Sequence, residues 1–265
     1  MKRLLATVAA VAALTLAAAC GSSDDNSSGS GSSPSASASG GVSGTVTVFA
    51  AASLTESFTT IGKQFEAAHP GTTVKFNFGA SSSLAGNINQ GAPADVFASA
   101  SPTNMQQVVD AGGAGDSKTF ANNVMEIATP PDNPANITQV TDLAKSGVKV
   151  ALCQPQVPCG KVAQEVFTKA DVTVKPVTEG ADVKAVLTTV QLGEVDAGMV
   201  YQTDVQAAGT KVKGIEIPAD QNASTSYPIA ALTKAPNSAG AAAFVDYVLS
   251  ADGEKVLEQA GFAAP

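Results

Sequence analysis

The sequence contains no tryptophan, one histidine and one arginine, and each shortage disfavours a class of site. His69 stands at the expected end of a helix, before Pro70, so histidine proton relays and histidine metal clusters have little support. The arginine is Arg3, near the amino terminus, so the rest of the chain has no guanidinium to bind a carboxylate through two bonds. A binding site for amino acids or organic acids is therefore disfavoured.

Motifs of common enzymes are missing as well. No serine after the leader stands in a G-x-S-x-G pattern. Gly160-Lys161 does not complete a phosphate-binding loop, because Pro155 and Val162 replace its first glycine and its hydroxyl residue. An exported serine hydrolase stays open as an alternative, but it lacks an evident base. We predict that the protein is not an enzyme and uses no cofactor.

The amino terminus has the layout of a secretory signal. Lys2 and Arg3 precede an apolar run at residues 4–19, which is too short for a lasting membrane helix. We predict a signal peptide at residues 1–19 and lipid attachment to Cys20; the alternative is cleavage after Ala19 that leaves Cys20 a free thiol. Residues 20–43, rich in serine and glycine, are expected to form a flexible linker. The protein would then be exported and anchored to the outer face of the cell membrane by lipidated Cys20.

Acidic residues outnumber basic ones, 23 to 15, and the net charge is −8. An acidic surface disfavours a nucleic-acid partner. It also gives an anionic ligand no long-range attraction, so an anion would have to be held by short hydrogen bonds.

Two further cysteines, Cys153 and Cys159, are separated by five residues. Three interpretations are open: a disulfide, two buried thiols, or part of a metal site. No histidine or second cysteine pair lies near them in sequence, which disfavours the metal site. We favour the disulfide, because the leader predicts an oxidising compartment.

Strand and helix patterns alternate along the rest of the chain. Such alternation predicts an α/β fold with largely parallel sheets, and about 220 residues suffice for one large core or two modest ones. The predicted strands are residues 45–50, 73–78, 95–98, 148–152, 195–201, 215–218 and 228–232.

Several helices are predicted to begin directly after a strand ends. Ser53-x-x-Glu56 has the form of a capping box, and Asp182 can cap another helix. Unpaired N–H groups at helix starts bind anions, and in open α/β sheets these junctions meet at one edge. Ser53, Ser81 and Tyr201 could add hydroxyl donors there. The two serines could instead serve only as helix caps.

Seven short segments closely resemble the molybdate-binding proteins of ABC transporters. They are Val48-Phe49-Ala50-Ala51-Ala52-Ser53-Leu54, Gly79-Ala80-Ser81-Ser82-Ser83-Leu84-Ala85, Gly91-Ala92-Pro93-Ala94-Asp95-Val96-Phe97, Val157-Pro158-Cys159-Gly160, Glu179-Gly180-Ala181-Asp182-Val183, Gly198-Met199-Val200-Tyr201 and Gly261-Phe262. They span nearly the whole region after the linker, in order.

The resemblance implies a two-lobed periplasmic-binding-protein fold of type II. In such a fold, mixed sheets carry helices on both faces, and the ligand lies in a cleft between the lobes. Residues 44–124 and 229–265 would form lobe 1, and residues 125–228 would form lobe 2.

The resemblance also implies that neutral donors hold the oxyanion, with no metal coordination by side chains. Ser53 and Ser81 would each bind it through the hydroxyl and the backbone N–H. Cys159 and Val183 would each donate a backbone N–H, and Tyr201 its phenol. Cys159 stands where the family usually has alanine, and the loop before it is about one residue shorter. We interpret Lys161 and Lys184, each one residue after a proposed contact, as solvated charges.

The implied ligand is molybdate, with tungstate bound about equally, since the two dianions are nearly the same size. The implied partner is the membrane permease of an ABC transporter, and we expect a monomer. The alternative is the same fold binding another oxyanion, such as sulfate or phosphate.

Overall fold

The computed structural model describes residues 42–265, so the predicted signal peptide, Cys20 and most of the linker lie outside the described residues. Strands and helices alternate through most of this region, as predicted. The strands are β1 (Gly44–Ala51), β2 (Thr72–Gly79), β3 (Val96–Ala98), β4 (Lys118–Thr129), β5 (Val150–Cys153), β6 (Thr178–Gly180), β7 (Ala197–Tyr201), β8 (Lys213–Glu216) and β9 (Ser224–Ala231). The α-helices are α1 (Thr55–Ala68), α2 (Ser81–Asn89), α3 (Pro102–Asp110), α4 (Pro158–Lys169), α5 (Val183–Gln191), α6 (Gln202–Ala208), α7 (Ser238–Val248) and α8 (Ala251–Gln259). Short 3-10 helices occur at Ala52–Leu54, Val140–Ala144 and Gly209–Lys211.

Hydrogen bonds connect the strands in the order β2-β1-β3-β9-β4-β7-β5-β6, with β8 beside β4. The β1–β2, β1–β3, β5–β6 and β5–β7 pairs are parallel. The other four, β3–β9, β4–β7, β4–β8 and β4–β9, are antiparallel. The prediction of largely parallel sheets is therefore wrong, whereas mixed sheets are present. The antiparallel pairs all involve β4 or β9, the strands through which the chain passes between the two ends of the array.

Strand β4 joins the two halves of the strand array. Residues 118–124 pair with β9, whereas residues 125–129 pair with β7 and β8. The sequence patterns did not predict β4, because its middle carries Asn122 and Asn123 instead of an apolar alternation.

The buried side chains form three clusters that follow this division. The first surrounds β5, β7, α4 and α5 and runs mainly from Met125 to Ala223. The second packs α1, α7 and α8 on β1, with Phe244 in edge-to-face contact with both Phe58 and Phe65. The third places α2 and α3 against the other face, around Phe97 and Met105. Helices thus cover both faces of the sheet, as predicted.

Between residues 42 and 265, no helix combines the length and the apolar character needed to cross a bilayer.

Candidate functional site

Five residues predicted from separate segments line one small cavity. Ser53, Ser81, Cys159, Val183 and Tyr201 all face it. The remaining lining residues are Ala51, Ala52, Gly79, Ala80, Ala100, Pro158 and Asp182. The structure therefore brings together every ligand-contact residue of the prediction, across 148 positions of sequence from Ser53 to Tyr201 (201 minus 53).

Ser53 reaches the cavity from the 3-10 helix that follows β1. The capping-box prediction for Ser53 is wrong, because α1 begins two residues later, at Thr55, and Leu54 occupies its N-cap without a side-chain hydrogen bond. The buried Ser53 Oγ instead lies 2.9 Å from the Tyr227 hydroxyl. Its backbone N–H belongs to the first turn of the 3-10 helix, where N–H groups have no acceptor within the helix.

Ser81 is the first residue of α2, and it does not act as that helix's N-cap. Ala80 occupies the N-cap, so the Ser81 N–H is one of the free donors of the first turn. The Ser81 hydroxyl is buried and accepts a hydrogen bond from the Ala100 N–H at 2.9 Å. Because that bond uses a lone pair of the oxygen, the hydroxyl proton of Ser81 stays available for a ligand.

Cys159 is the second residue of α4 and is joined to Cys153 by a disulfide. Pro158 at the first position suits a helix start, because it has no N–H to leave unpaired. The bridged loop lies so close to the helix that a Cβ on Gly160 would be 2.1 Å from the Gln154 carbonyl oxygen. This packing and the disulfide fix the direction of the Cys159 N–H, which the first turn leaves unpaired.

Val183 begins α5, and Asp182 caps that helix by accepting a hydrogen bond from the Ala185 N–H at 3.0 Å. The helix lies close to β7: a Cβ on Gly198 would be 2.8 Å from both Val186 Cγ1 and Val190 Cγ2. A glycine in β7 is thus what lets α5 approach and bring the Val183 N–H to the cavity.

Tyr201 lies at the end of β7 and faces the cavity. Its side chain is buried, and among the residues that the structure describes no polar atom forms a hydrogen bond with the hydroxyl. Burial, with smaller effects from Tyr227 and Asp204, raises the pKa of Tyr201 well above its usual value. The phenol therefore keeps its proton and is a ready donor. Buried polar groups are normally paired, so this one indicates a ligand.

Lys184 does not fit its predicted role. It is only 23% exposed, and its Nζ lies 2.7 Å from Glu56 Oε2 and 3.0 Å from Asp204 Oδ1. The interpretation as a solvated charge is therefore wrong. Burial lowers the pKa of Lys184, but the charges of Asp204 and Glu56 outweigh that effect and raise it. Lys161, in contrast, is exposed as predicted.

The sequence patterns also did not predict the hydrogen-bond network that contacts the Ser53 hydroxyl. Tyr227, Asn123 and Thr203 are buried, and Asn123 forms hydrogen bonds with both of the others. No local pattern indicates this, because Tyr227 is 174 positions from Ser53 in sequence.

The cavity suits a compact anion better than an organic molecule. Its volume is only about 20 Å³, which leaves room for a small ion and not for an organic molecule. No lysine lines it, and the one acidic lining residue, Asp182, is occupied as a helix cap. Within residues 42–265 no three His, Cys, Asp or Glu side chains cluster in a way that could hold a metal ion. Binding would therefore depend on N–H and O–H donors and on the helix starts.

Comparison with known proteins identifies the family. A sequence profile described as bacterial extracellular solute-binding protein matches residues 46–263. The chain belongs to this family. This solute-binding protein is 42% identical over 222 residues to the molybdate-binding protein ModA of Mycobacterium bovis, an alignment that covers 83% of this chain and 85% of the relative. It is 34% identical over 227 residues to the putative ABC transporter substrate-binding lipoprotein YvgL of Bacillus subtilis, with 83% and 86% covered.

Solved structures agree with this placement. The periplasmic molybdate-binding protein of Azotobacter vinelandii superposes with a TM-score of 0.74 at 20% identity, covering 83% of this chain and 99% of that one. The substrate-binding domain of a putative molybdenum ABC transporter from Clostridium difficile gives 0.63 at 29% identity, with 83% and 99% covered. The predicted two-lobed periplasmic-binding-protein fold is confirmed. The relatives are binding proteins and not enzymes, so the prediction of a ligand-binding protein without catalytic activity or cofactor is also confirmed.

Proposed function

We propose that this solute-binding protein captures molybdate in the cavity between its two lobes and delivers it to the permease of an ABC transporter. The observation that supports this most is the buried Tyr201 hydroxyl, which has no partner within residues 42–265 and faces the same cavity as Ser53 and Ser81. Relatives that carry the name molybdate-binding protein, at 42% and 32% identity, support the choice of ion.

The donors suffice for a dianion without any cationic side chain. The hydroxyl and N–H of both serines, the N–H groups of Cys159 and Val183, and the Tyr201 phenol make seven donors in this proposal. At roughly 1.5–3 kcal/mol for each hydrogen bond to a charged group, they exceed the 8–10 kcal/mol or so of sub-micromolar binding. Desolvation of the anion and closure of the cleft offset the surplus.

Tungstate should bind about equally, because a cage of donors cannot separate two dianions of nearly the same size. Sulfate is smaller and would leave some donors too far away. We expect molybdate and tungstate to raise the melting temperature strongly and sulfate and phosphate to raise it little. Equal stabilisation by sulfate at equal concentration would refute the molybdate assignment.

We further propose that residues 44–124 with 229–265 form one lobe and residues 125–228 the other. The exchange of partners by β4 after residue 124 supports the first boundary. Cutting the chain in the linker should leave molybdate binding intact. Loss of binding on cutting there would contradict the proposed division between linker and lobes.

Export and lipid anchoring at Cys20 complete the proposal. The relative named as a substrate-binding lipoprotein supports the anchor. Mass spectrometry of the amino-terminal peptide should find a lipid on Cys20, and Cys20→Ala should release the protein from membranes. An unmodified Cys20 in membrane-bound protein would contradict this.

A further inference from the structure

The buried network behind Ser53 has a direction that can be read from the donor and acceptor of each group. Asn123 Oδ1 accepts a hydrogen bond from the Val124 N–H at 3.0 Å, which fixes the orientation of the amide. The Asn123 amino group therefore faces the other way. It donates to Thr203 Oγ1 at 2.8 Å and to the Tyr227 hydroxyl oxygen at 3.4 Å.

The Tyr227 hydroxyl has two neighbours in this network, Asn123 and Ser53. Because Asn123 offers only a donor there, Ser53 Oγ, 2.9 Å away, is the one acceptor that the described part of the chain offers to the proton of Tyr227. If Ser53 were the donor instead, the fully buried Tyr227 proton would have no acceptor, and the folded state would lose the free energy that an unpaired buried group costs. Burial raises the pKa of Tyr227, so the proton is retained.

We infer that the Asn123–Tyr227 pair is a relay that directs the hydroxyl proton of Ser53 into the cavity, a positioning role that rests on the proposed function. With Tyr227 donating to its oxygen, Ser53 keeps its own proton for the ligand. Ser81 is arranged in the same way by the Ala100 N–H, and Tyr201 has no competing acceptor. All three hydroxyls then act only as donors. Such a cage suits an oxyanion without protons, and it offers no acceptor to the proton of hydrogen phosphate.

The first test is a double-mutant cycle that asks whether Tyr227 acts through Ser53. Molybdate affinity is measured by isothermal titration for wild type, Tyr227→Phe, Ser53→Ala and the double variant. We expect Tyr227→Phe to weaken binding about 3- to 10-fold in the wild-type background, because Ser53 loses the bond that orients and polarises it. In the Ser53→Ala background the same change should have no effect. Equal effects in both backgrounds would overturn the relay.

Tyr247→Phe is the matched control for removal of a tyrosine hydroxyl. The Tyr247 hydroxyl lies 3.4 Å from Gln64 Oε1 on an exposed surface, and Tyr247 does not line the cavity. Its loss should leave affinity unchanged. A loss of affinity as large as that of Tyr227→Phe would show that neither effect comes from the relay.

A second test reverses the direction of the relay. Asn123→Asp replaces the amino donor by a carboxylate of nearly the same shape, which would accept a hydrogen bond from the Tyr227 hydroxyl and leave Ser53 to donate to Tyr227. We expect molybdate affinity to fall at least about 10-fold, the ratio expected for one lost charge-assisted bond. Adding Tyr227→Phe should then restore part of the affinity, although the new charge remains. No restoration in a folded double variant would contradict the inferred direction.

These outcomes separate the relay from the proposed function. If wild type binds no molybdate, the proposed function fails and the relay fails with it. If wild type binds molybdate but neither cycle shows coupling, the relay alone is overturned.

Discussion

Removal of the Tyr201 hydroxyl should have opposite effects on ligand binding and on the ligand-free fold. The side chain is 1% exposed, and its hydroxyl has no partner among the described residues. Tyr201→Phe therefore breaks no hydrogen bond within the protein. It removes a donor to a dianion, worth roughly 1.5–3 kcal/mol, and molybdate affinity should fall about 10- to 150-fold.

The ligand-free protein should gain stability or stay unchanged. A buried hydroxyl that meets at best a water molecule costs free energy, and phenylalanine fills the same space without that cost. We expect the free energy of unfolding to rise by 0 to about 1 kcal/mol, or up to about 4 °C in melting temperature for a chain of this size. Titration calorimetry and thermal unfolding without ligand measure the two effects, with Tyr247→Phe as the control that changes neither. Unchanged affinity together with a lower melting temperature would refute the reasoning.

Three further predictions concern Ser81, Glu56 and Glu126. Ser81→Ala should lower molybdate affinity by roughly 1–3 kcal/mol, because the ion loses a hydroxyl donor, and should lower the free energy of unfolding by a similar amount, because the Ala100 N–H loses its acceptor. Calorimetry and denaturant unfolding would show both losses, and an unaltered affinity would remove Ser81 from the site. Glu56→Gln should speed molybdate dissociation about 2- to 5-fold at low salt, because it weakens the contact of a half-exposed carboxylate of one proposed lobe with Lys184 of the other. Salt screens this contact, so the stopped-flow dissociation rates of wild type and variant should converge at high salt. A difference in rate that persists at high salt would point to a cause other than charge. Burial and the charge of Glu216 raise the pKa of Glu126 from its usual 4.5 to about 7 in the folded protein, so the free energy of unfolding should fall as pH rises from about 4.5 to 7. Glu126→Gln should remove that part of the pH dependence. Identical melting temperatures of variant and wild type at every pH between 5 and 8 would contradict this prediction.

Local sequence patterns predicted the elements that form the cavity. Each predicted contact residue stands where a strand ends or a helix begins, and in an α/β fold such junctions converge at one edge. The helix starts at Pro158 and Val183 follow from proline and capping rules that act within a few residues. The resemblance to a family then supplied which junctions share a ligand.

Interactions between distant segments were not predictable in this way. Helix α1 begins at Thr55, and not directly after Ser53 as the capping pattern predicted, because the chain first makes a 3-10 turn that brings Ser53 to Tyr227. Lys184 has the position of a solvated helix charge, and only the fold places it beside Asp204 and Glu56. Strand β4 was missed because it crosses between two sheet regions, where Asn123 serves a buried network and the half-exposed Asn122 bonds to Ala264 and Ser226.

The cage of neutral donors is tested most directly by a crystal structure of the protein with molybdate, in which the metal's anomalous scattering marks its position. We predict one tetrahedral ion in the cavity, within hydrogen-bond distance of the Ser53, Ser81 and Tyr201 hydroxyls and of the Cys159 and Val183 N–H groups. No lysine should contact it. An ion bound elsewhere, or one held by a lysine side chain, would contradict the account.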